Sequence, residues 1–204
     1  MCAPAWVSVI GIAGTWVIAI AAIWGDRIRA FILRPRLKLR VLSPAGEFLN
    51  TAERRSGKVV FAPTREFYLR VTNARYHPVV HDVEVLLTRI EHVGPNGLPQ
   101  HAYEGLLPLP WRHPEFYTSP RKIGRTTEAD VLLLRLQQGQ FTFTPKVVPE
   151  NFSPTYANEA HLWVTLIARG LEGESAPRRI RIDWDGSWER GDTEIQRHFV
   201  VAPA

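Results

Sequence analysis

Ala5 to Gly25 is a run of 21 residues without one charged side chain. At about 1.5 Å per residue, a helix of that length reaches ~32 Å and matches a hydrocarbon core of ~30 Å. A helix buried in a globular core is apolar along one stripe, not on every face for such a length. A cleaved signal peptide has a basic start, a shorter apolar stretch and small residues before the cut. Here no Lys or Arg precedes the run, and the sequence around Trp24 offers no small-x-small site. The run therefore predicts one N-terminal transmembrane helix over about residues 5–25. Trp6 and Trp24 stand near its ends, where indoles favour the headgroup region.

The charge distribution orients this span. Of 25 basic residues, six (Arg27, Arg29, Arg34, Arg36, Lys38 and Arg40) fall within the first forty positions, against one of the 20 acidic residues, Asp26. The remaining 164 residues carry nineteen of each sign, so the net charge of +5 belongs to one short segment. Basic side chains flanking a span are retained on the cytoplasmic side. The expected topology is thus a single pass through the inner (plasma) membrane, with the N-terminus outside and residues 36–204 cytoplasmic. A lone cysteine, Cys2, excludes a disulfide framework and a multi-cysteine zinc site and agrees with a reducing compartment.

Ile28, Phe31 and Ile32 recur at helical spacing after the run, with Arg27, Arg29 and Arg34 free to reach lipid phosphates, and Pro35 ends the pattern. Residues 1–35 thus read as a span with a basic juxtamembrane extension. Trp6, Trp24, Arg27, Arg29, Arg34 and Arg36 are its expected contacts with the membrane interface. Gly11, Thr15 and Ala19 form a ladder of small residues on one helix face, a pattern that lets two spans approach closely and self-associate.

From Arg36 onward the period changes to two. Leu37, Leu39 and Val41 alternate with Lys38 and Arg40, as in a half-buried strand. Residues 43–57 read as a polar loop, and 58–61 as a short strand closed by Pro63. Residues 66–72 alternate again, with Phe67, Leu69 and Val71 inward. Asn73 to Pro78 make a turn. A long strand follows over 79–93, with Val83, Val85 and Leu87 inward. Residues 105–111 carry two prolines and belong at a sheet edge. Residues 112–129 read as a long loop, and 130–136 and 140–145 as a hairpin around Gln138-Gly139. In 160–170, Leu162, Val164 and Leu166 point inward. Residues 178–184 form another strand, Asp185-Gly186 predicts a tight hairpin turn, and 195–201 close the body.

Some eight to ten strands with almost no helical period predict a mainly β body over residues 36–204, an antiparallel immunoglobulin-like β-sandwich. One domain suffices at this length. No linker separates the basic stretch from the first strand, which places the body close to the membrane surface. The segment from Phe67 to Leu87, a strand ending at Asn73 and a second strand running back, resembles the strand–turn–strand unit of bacterial immunoglobulin-like domains. The order of single span, Arg-Pro stretch, this unit and the terminal Trp184-Asp185-Gly186-Ser187-Trp188 resembles small bacterial single-span membrane proteins with such bodies. The resemblance implies a fold and an anchor, and no activity.

Motifs for chemistry are sparse. His77 and His81 stand four apart in an extended segment, ~13 Å from each other and too far to share one metal. No phosphate-binding glycine loop, dinucleotide fingerprint or nucleophile elbow occurs. Arg190-Gly191-Asp192 spells an adhesion tripeptide, a three-residue match that carries little on the cytoplasmic side. No cofactor is implied. The loop from Trp111 to Arg125 combines Trp111, Phe116 and Tyr117 with Arg112, Arg121, Lys122 and Arg125, against Glu115 alone. Such a loop suits an anionic surface, of headgroups or of an acidic partner. A neutral body argues against nucleic acid. The expected function is a membrane-anchored, non-enzymatic binding or scaffolding protein whose partners are membrane lipid, an unidentified protein or a second copy through the span. A membrane-held hydrolase-like enzyme and an oligomerising membrane effector are the alternatives.

Overall fold

The computed structural model describes residues 36–55, 58–74, 79–94, 96–112 and 121–204. The expected span, its residues Trp6, Gly11, Thr15, Ala19 and Trp24, and the basic Arg27, Arg29 and Arg34 lie outside them. The chain divides between Arg34 and Pro35 into two units, and the described residues belong to the second. Among the described residues no helix is long and apolar enough to cross a membrane.

The elements in chain order are β1 (Leu37–Val41), β2 (Glu47–Arg55), β3 (Lys58–Asn73), β4 (Val80–Val93), β5 (Pro99–Pro108), β6 (Arg121–Ile123), β7 (Ala129–Gln137), β8 (Gln140–Phe143), β9 (Thr155–Tyr156), β10 (Ala160–Gly170), β11 (Gly173–Glu174), β12 (Arg178–Trp184), α1 (Asp192–His198) and β13 (Phe199–Pro203). They build two antiparallel sheets. The first runs β1-β3-β7-β8-β9, with β2 on β3 beside β1; the second runs β13-β12-β10-β4-β5, with β6 on β4 and β11 on β10. The body is mainly β and antiparallel, as its alternation predicts.

One apolar core takes residues from both sheets. Ring contacts tie them together: Phe67 on β3 lies 4.8 Å from Phe199 on β13, and Phe141 on β8 lies 5.5 Å from both Trp184 and Phe199. The expected inward set Leu162, Val164 and Leu166 is fully buried, as are Val83, Val85 and Leu87. The core-facing residues of β4 are Val80, Val83, Val85, Leu87 and Ile90, spaced three, two, two and three apart. The ladder shifts register at both three-residue steps. At the first step Asp82 has φ 51°, a left-handed conformation that aspartate tolerates. The bulges keep an imperfect period on one face.

Four expectations are corrected. Residues 47–55, read as loop, form β2. This is an edge strand paired with β3 alone, held by backbone hydrogen bonds rather than burial, so it carries no apolar alternation. Phe48 and Leu49 remain about two-fifths exposed on it, at 39% and 41%. Pro63 does not end a strand. It lies within β3 opposite Asn50, one residue before pairing to β7 begins at Thr64, where β3 has a neighbour on one side only and a residue without an N–H is tolerated. Within 112–129 the short strand β6 pairs with β4. Finally, Asp185-Gly186 turns the chain, with the Ser187 N–H donating to Asp185 Oδ1 at 2.9 Å and Gly186 at φ +88°, but no hairpin follows. The chain passes through α1 before β13 returns beside β12.

The chain crosses between sheets after β5, the edge strand anticipated from its prolines. Leu109 donates to the Val85 carbonyl in the second sheet, whereas Leu132 donates to Pro110 and Arg112 to Asp130 along β7 in the first. This crossing carries Trp111 into the core and Arg112 onto the outer face of the first sheet.

Candidate functional site

Trp111 is 1% exposed and packs in the core, which removes it from the surface expected to meet an anion. Arg112 is half-buried over the Tyr68 ring, 4.6 Å from its centroid. It pairs with Glu47 and lies 3.4 Å from Asp130 Oδ2. Tyr68 in turn donates to Glu66, which accepts from Arg135 at 2.7 Å. Burial, reinforced by the Glu66 carboxylate, raises the Tyr68 phenol far above its ordinary pKa and keeps it a neutral donor. Arg121 stacks 5.2 Å from the Trp111 ring, and Lys122 and Arg125 are exposed. Phe116 and Tyr117 lie outside the described residues. The loop's charges therefore separate, and Arg125 joins a different set.

Arg125 lines a groove of about 770 Å³ with four consecutive residues of β1, Leu37 to Arg40, the end of β3, the segment before β7 and the segment before β12. Its charged side chains are Lys38, Arg40, Arg125 and Arg178 against Glu128. Strand alternation explains the first two: Leu37 and Leu39 enter the core, so Lys38 and Arg40 must face out. Lys38 stands across from Thr72 and Arg40 across from Arg70 in the β1–β3 ladder. Arg70 donates from Nε to Asp130 Oδ1 at 2.9 Å and lies 2.8 Å through NH1 from Glu128 Oε2. The hydrogen bond to Asp130, more than any other contact, raises the Arg70 pKa above its ordinary value. The one carboxylate lining the groove is thus taken by an arginine outside its lining. Among the described residues Lys38, Arg40, Arg125 and Arg178 have no ion-pair partner, and all four are exposed.

Two smaller hollows differ in chemistry. One of about 240 Å³ beside His92, Tyr103 and Tyr156 is lined by no carboxylate, lysine or arginine, and burial lifts the Tyr156 phenol to about 12. The other, of about 470 Å³, holds Asp82 and Glu84 with Arg169 and the exposed Leu106 and Leu171. Histidines pair with carboxylates on the surface: His81 with Glu172, His161 with Asp183 and Glu159, His198 with Asp185. None of these pairs lines one of the three hollows. No cluster of His, Cys, Asp and Glu fit for a metal occurs among the described residues.

The tripeptide Arg190-Gly191-Asp192 is tied into the fold. The Arg190 carbonyl and the Asp192 carboxylate both accept from the buried Arg65, and Asp192 opens α1. Arg36, expected at the membrane interface, is exposed just before β1, with its carbonyl accepting the Ala74 N–H at 3.3 Å. Sequence reasoning placed Lys38 and Arg40 on a solvent face without seeing a site. The signal was present in two cations on the outer side of the first strand, but their companions lie more than eighty residues away.

No protein-family model and no curated protein matches the chain. Among solved structures it is similar to one described as the archaeal flagellum of Methanospirillum hungatei strain JF1. The likeness covers 95% of this chain and 92% of that one at 10% sequence identity, with a TM-score of 0.41.

Proposed function

We propose that this protein is a membrane-anchored, non-enzymatic binding or scaffolding protein. In this reading the run from Ala5 to Gly25 crosses the inner membrane once, and an immunoglobulin-like sandwich of residues 36–204 stands on the cytoplasmic side. The uncharged run and the basic side chains after it support the span and its direction. Two antiparallel sheets around one core, with the chain changing sheet between Asn73 and Val80, support the sandwich.

The observation that carries the binding reading is the groove. Among the described residues, four cations without an ion-pair partner line one groove, whereas Arg65, Arg70, Arg89, Arg112, Arg135, Arg179 and Arg181 each meet a carboxylate. Solvated cations that serve only solubility are interspersed with the opposite sign, not assembled around a hollow. An enzyme would call for convergent polar groups in a water-excluding pocket. The histidine–carboxylate pairs stand instead on open surface, which favours binding.

The anchor and its direction are tested together. A reporter active only in the cytoplasm, fused after Ala204, is expected to be active, and the fusion to stay in the membrane pellet after alkaline carbonate. Activity of a periplasm-only reporter overturns the orientation, and release by carbonate overturns the span. Changing Arg27, Arg29, Arg34 and Arg36 to Glu is expected to weaken or invert the orientation.

A further inference from the structure

Arg40 and Arg70 stand directly opposite each other in an antiparallel ladder. Like charges at such positions destabilise the pair. The charge of Arg70 is met by Asp130 and Glu128, and that of Arg40 is not. The strain of four uncompensated cations around one hollow is relieved by an anion placed among them. Thr72, Thr126 and Thr127 on the same walls add hydroxyl donors. Guanidinium forks and hydroxyls together match the oxygens of a phosphate group.

The geometry points to a phosphate-binding groove whose ligand is the headgroup of an anionic phospholipid in the membrane the chain is anchored to. The assignment rests on the anchored reading for its choice of lipid over free phosphate. Only residues 26–36 separate Gly25 from the first residue of β1, which is itself a wall of the groove. Fully extended at ~3.5 Å per residue, that stretch reaches only ~40 Å. In the anchored reading the tether confines the groove to the neighbourhood of one leaflet, so headgroups are the anions concentrated around it, and the attraction acts wherever groove and surface come within a Debye length of about 10 Å. The site differs from the Trp111–Arg125 loop read from the sequence: it keeps Arg125, drops Trp111 and Arg112, and recruits Lys38, Arg40 and Arg178.

The test uses the full chain with vesicles of phosphatidylcholine alone or mixed with phosphatidylglycerol, reading amide hydrogen exchange of residues 37–41, 124–128 and 176–178. Phosphatidylglycerol is expected to slow exchange in all three segments at low salt, and high salt to reverse it. Each single change, Lys38→Ser, Arg40→Ser, Arg125→Ser or Arg178→Ser, is expected to weaken the preference about fivefold, the factor for one basic group near an anionic surface. The combined Ser variant should lose it, with protection of β10 amides unchanged as the control for folding. A variant with Arg40, Arg125 and Arg178 all replaced by Lys keeps the charge but loses the guanidinium forks, and should show a preference between those of wild type and the combined Ser variant. Equal exchange in both vesicles, or an unchanged preference in the combined Ser variant, overturns the assignment. Inorganic phosphate reproducing the protection on phosphatidylcholine vesicles overturns the lipid source. The anchor is read separately. Retention on neutral vesicles through carbonate supports it. Failure of retention removes the anchor, and recruitment of wild type but not the Ser variant by phosphatidylglycerol vesicles then still decides the groove.

Discussion

Arg65 NH1 lies 2.8 Å from Asp192 Oδ1, joining a fully buried guanidinium to a carboxylate that is 74% exposed. The same guanidinium donates to the carbonyls of Ala45 at 3.0 Å and Glu189 at 3.3 Å, and to that of Arg190. One side chain on β3 thus fastens the segment between β12 and α1 to the first sheet. That fastening explains why the Asp185-Gly186 turn leads into a helix instead of a hairpin. The two partners are unequal. Arg65→Ala strips three carbonyls of a donor and opens a cavity, and should cost ~3 kcal/mol or more, at about 1 kcal/mol per acceptor left without its donor plus the cavity. Asp192→Ala leaves the guanidinium its carbonyl acceptors and should cost about 1 kcal/mol. Urea unfolding of the two variants checks the order, and equal losses would show the carboxylate to be the main partner.

Val85 is fully buried on β4, opposite Ala168 of β10. Val85→Asp places an unpaired carboxylate in the shared core, and the expected loss is ~4 kcal/mol or more. Val85→Ala, which removes two methyl groups without adding a charge, should lose about 1–3 kcal/mol. An unchanged melting temperature for the aspartate variant would show that β4 presents the other face to the core.

Gly170 ends β10 where a Cβ would meet Val80 Cγ1 at 2.4 Å and the His81 carbonyl at 2.8 Å. That carbonyl already accepts the Leu171 N–H at 3.0 Å, so the backbone has little freedom to retreat. Gly170→Ala should therefore destabilise by about 1–3 kcal/mol through overpacking. Combining it with Val80→Ala, which clears the nearer atom, should restore less than the whole loss because the carbonyl remains. Thermal melts of the single and double variants measure the coupling.

The surface histidine pairs predict two arms in the pH dependence of stability. The His161 ring donates to Asp183 Oδ1 and Glu159 Oε1, both at 3.0 Å, and these bonds, Asp183 first, raise its pKa above the ordinary ~6.5. A raised folded-state value means the contribution is complete below pH ~6.5 and is lost as pH rises through the folded pKa. Asp185 behaves oppositely. Its bond with His198 Nδ1 at 2.7 Å lowers its pKa below the ordinary ~3.9. Its contribution is present above pH ~3.9 and is lost as pH falls through the lowered value. Both sites are substantially exposed, so the arms are shallow. His161→Gln should flatten the upper arm and Asp185→Asn the lower one, read as denaturation midpoints across the pH range.

Much of the body was legible in the alternation of β1, β10 and β12, because a half-buried strand writes its two faces into adjacent positions. β2 was not legible. An edge strand satisfied by backbone pairing needs no apolar face, and Phe48 and Leu49 in a polar surrounding carry no period. Arg65 occupies an inward position in the phase of Phe67, Leu69 and Val71. A charged residue there reads as a break in the core until the carbonyls that accept from it are located. The groove was legible in part: Lys38 and Arg40 as a solvent face, and Arg125 as one member of a basic loop.

The sequence alone determined the uncharged run of 21 residues, the confinement of the net charge to the first forty positions, and the mainly β character of residues 36–204. These are local properties, set by the order of polar and apolar side chains along a few turns or one strand. Tertiary structure alone decided which cations are neutralised. Arg112 and Arg125 belong to one basic loop, yet the crossing between sheets delivers Arg112 to Glu47 and Asp130 and leaves Arg125 beside Lys38, Arg40 and Arg178. Charge compensation acts over a few ångströms across strands that are distant in the chain, and no local pattern records it.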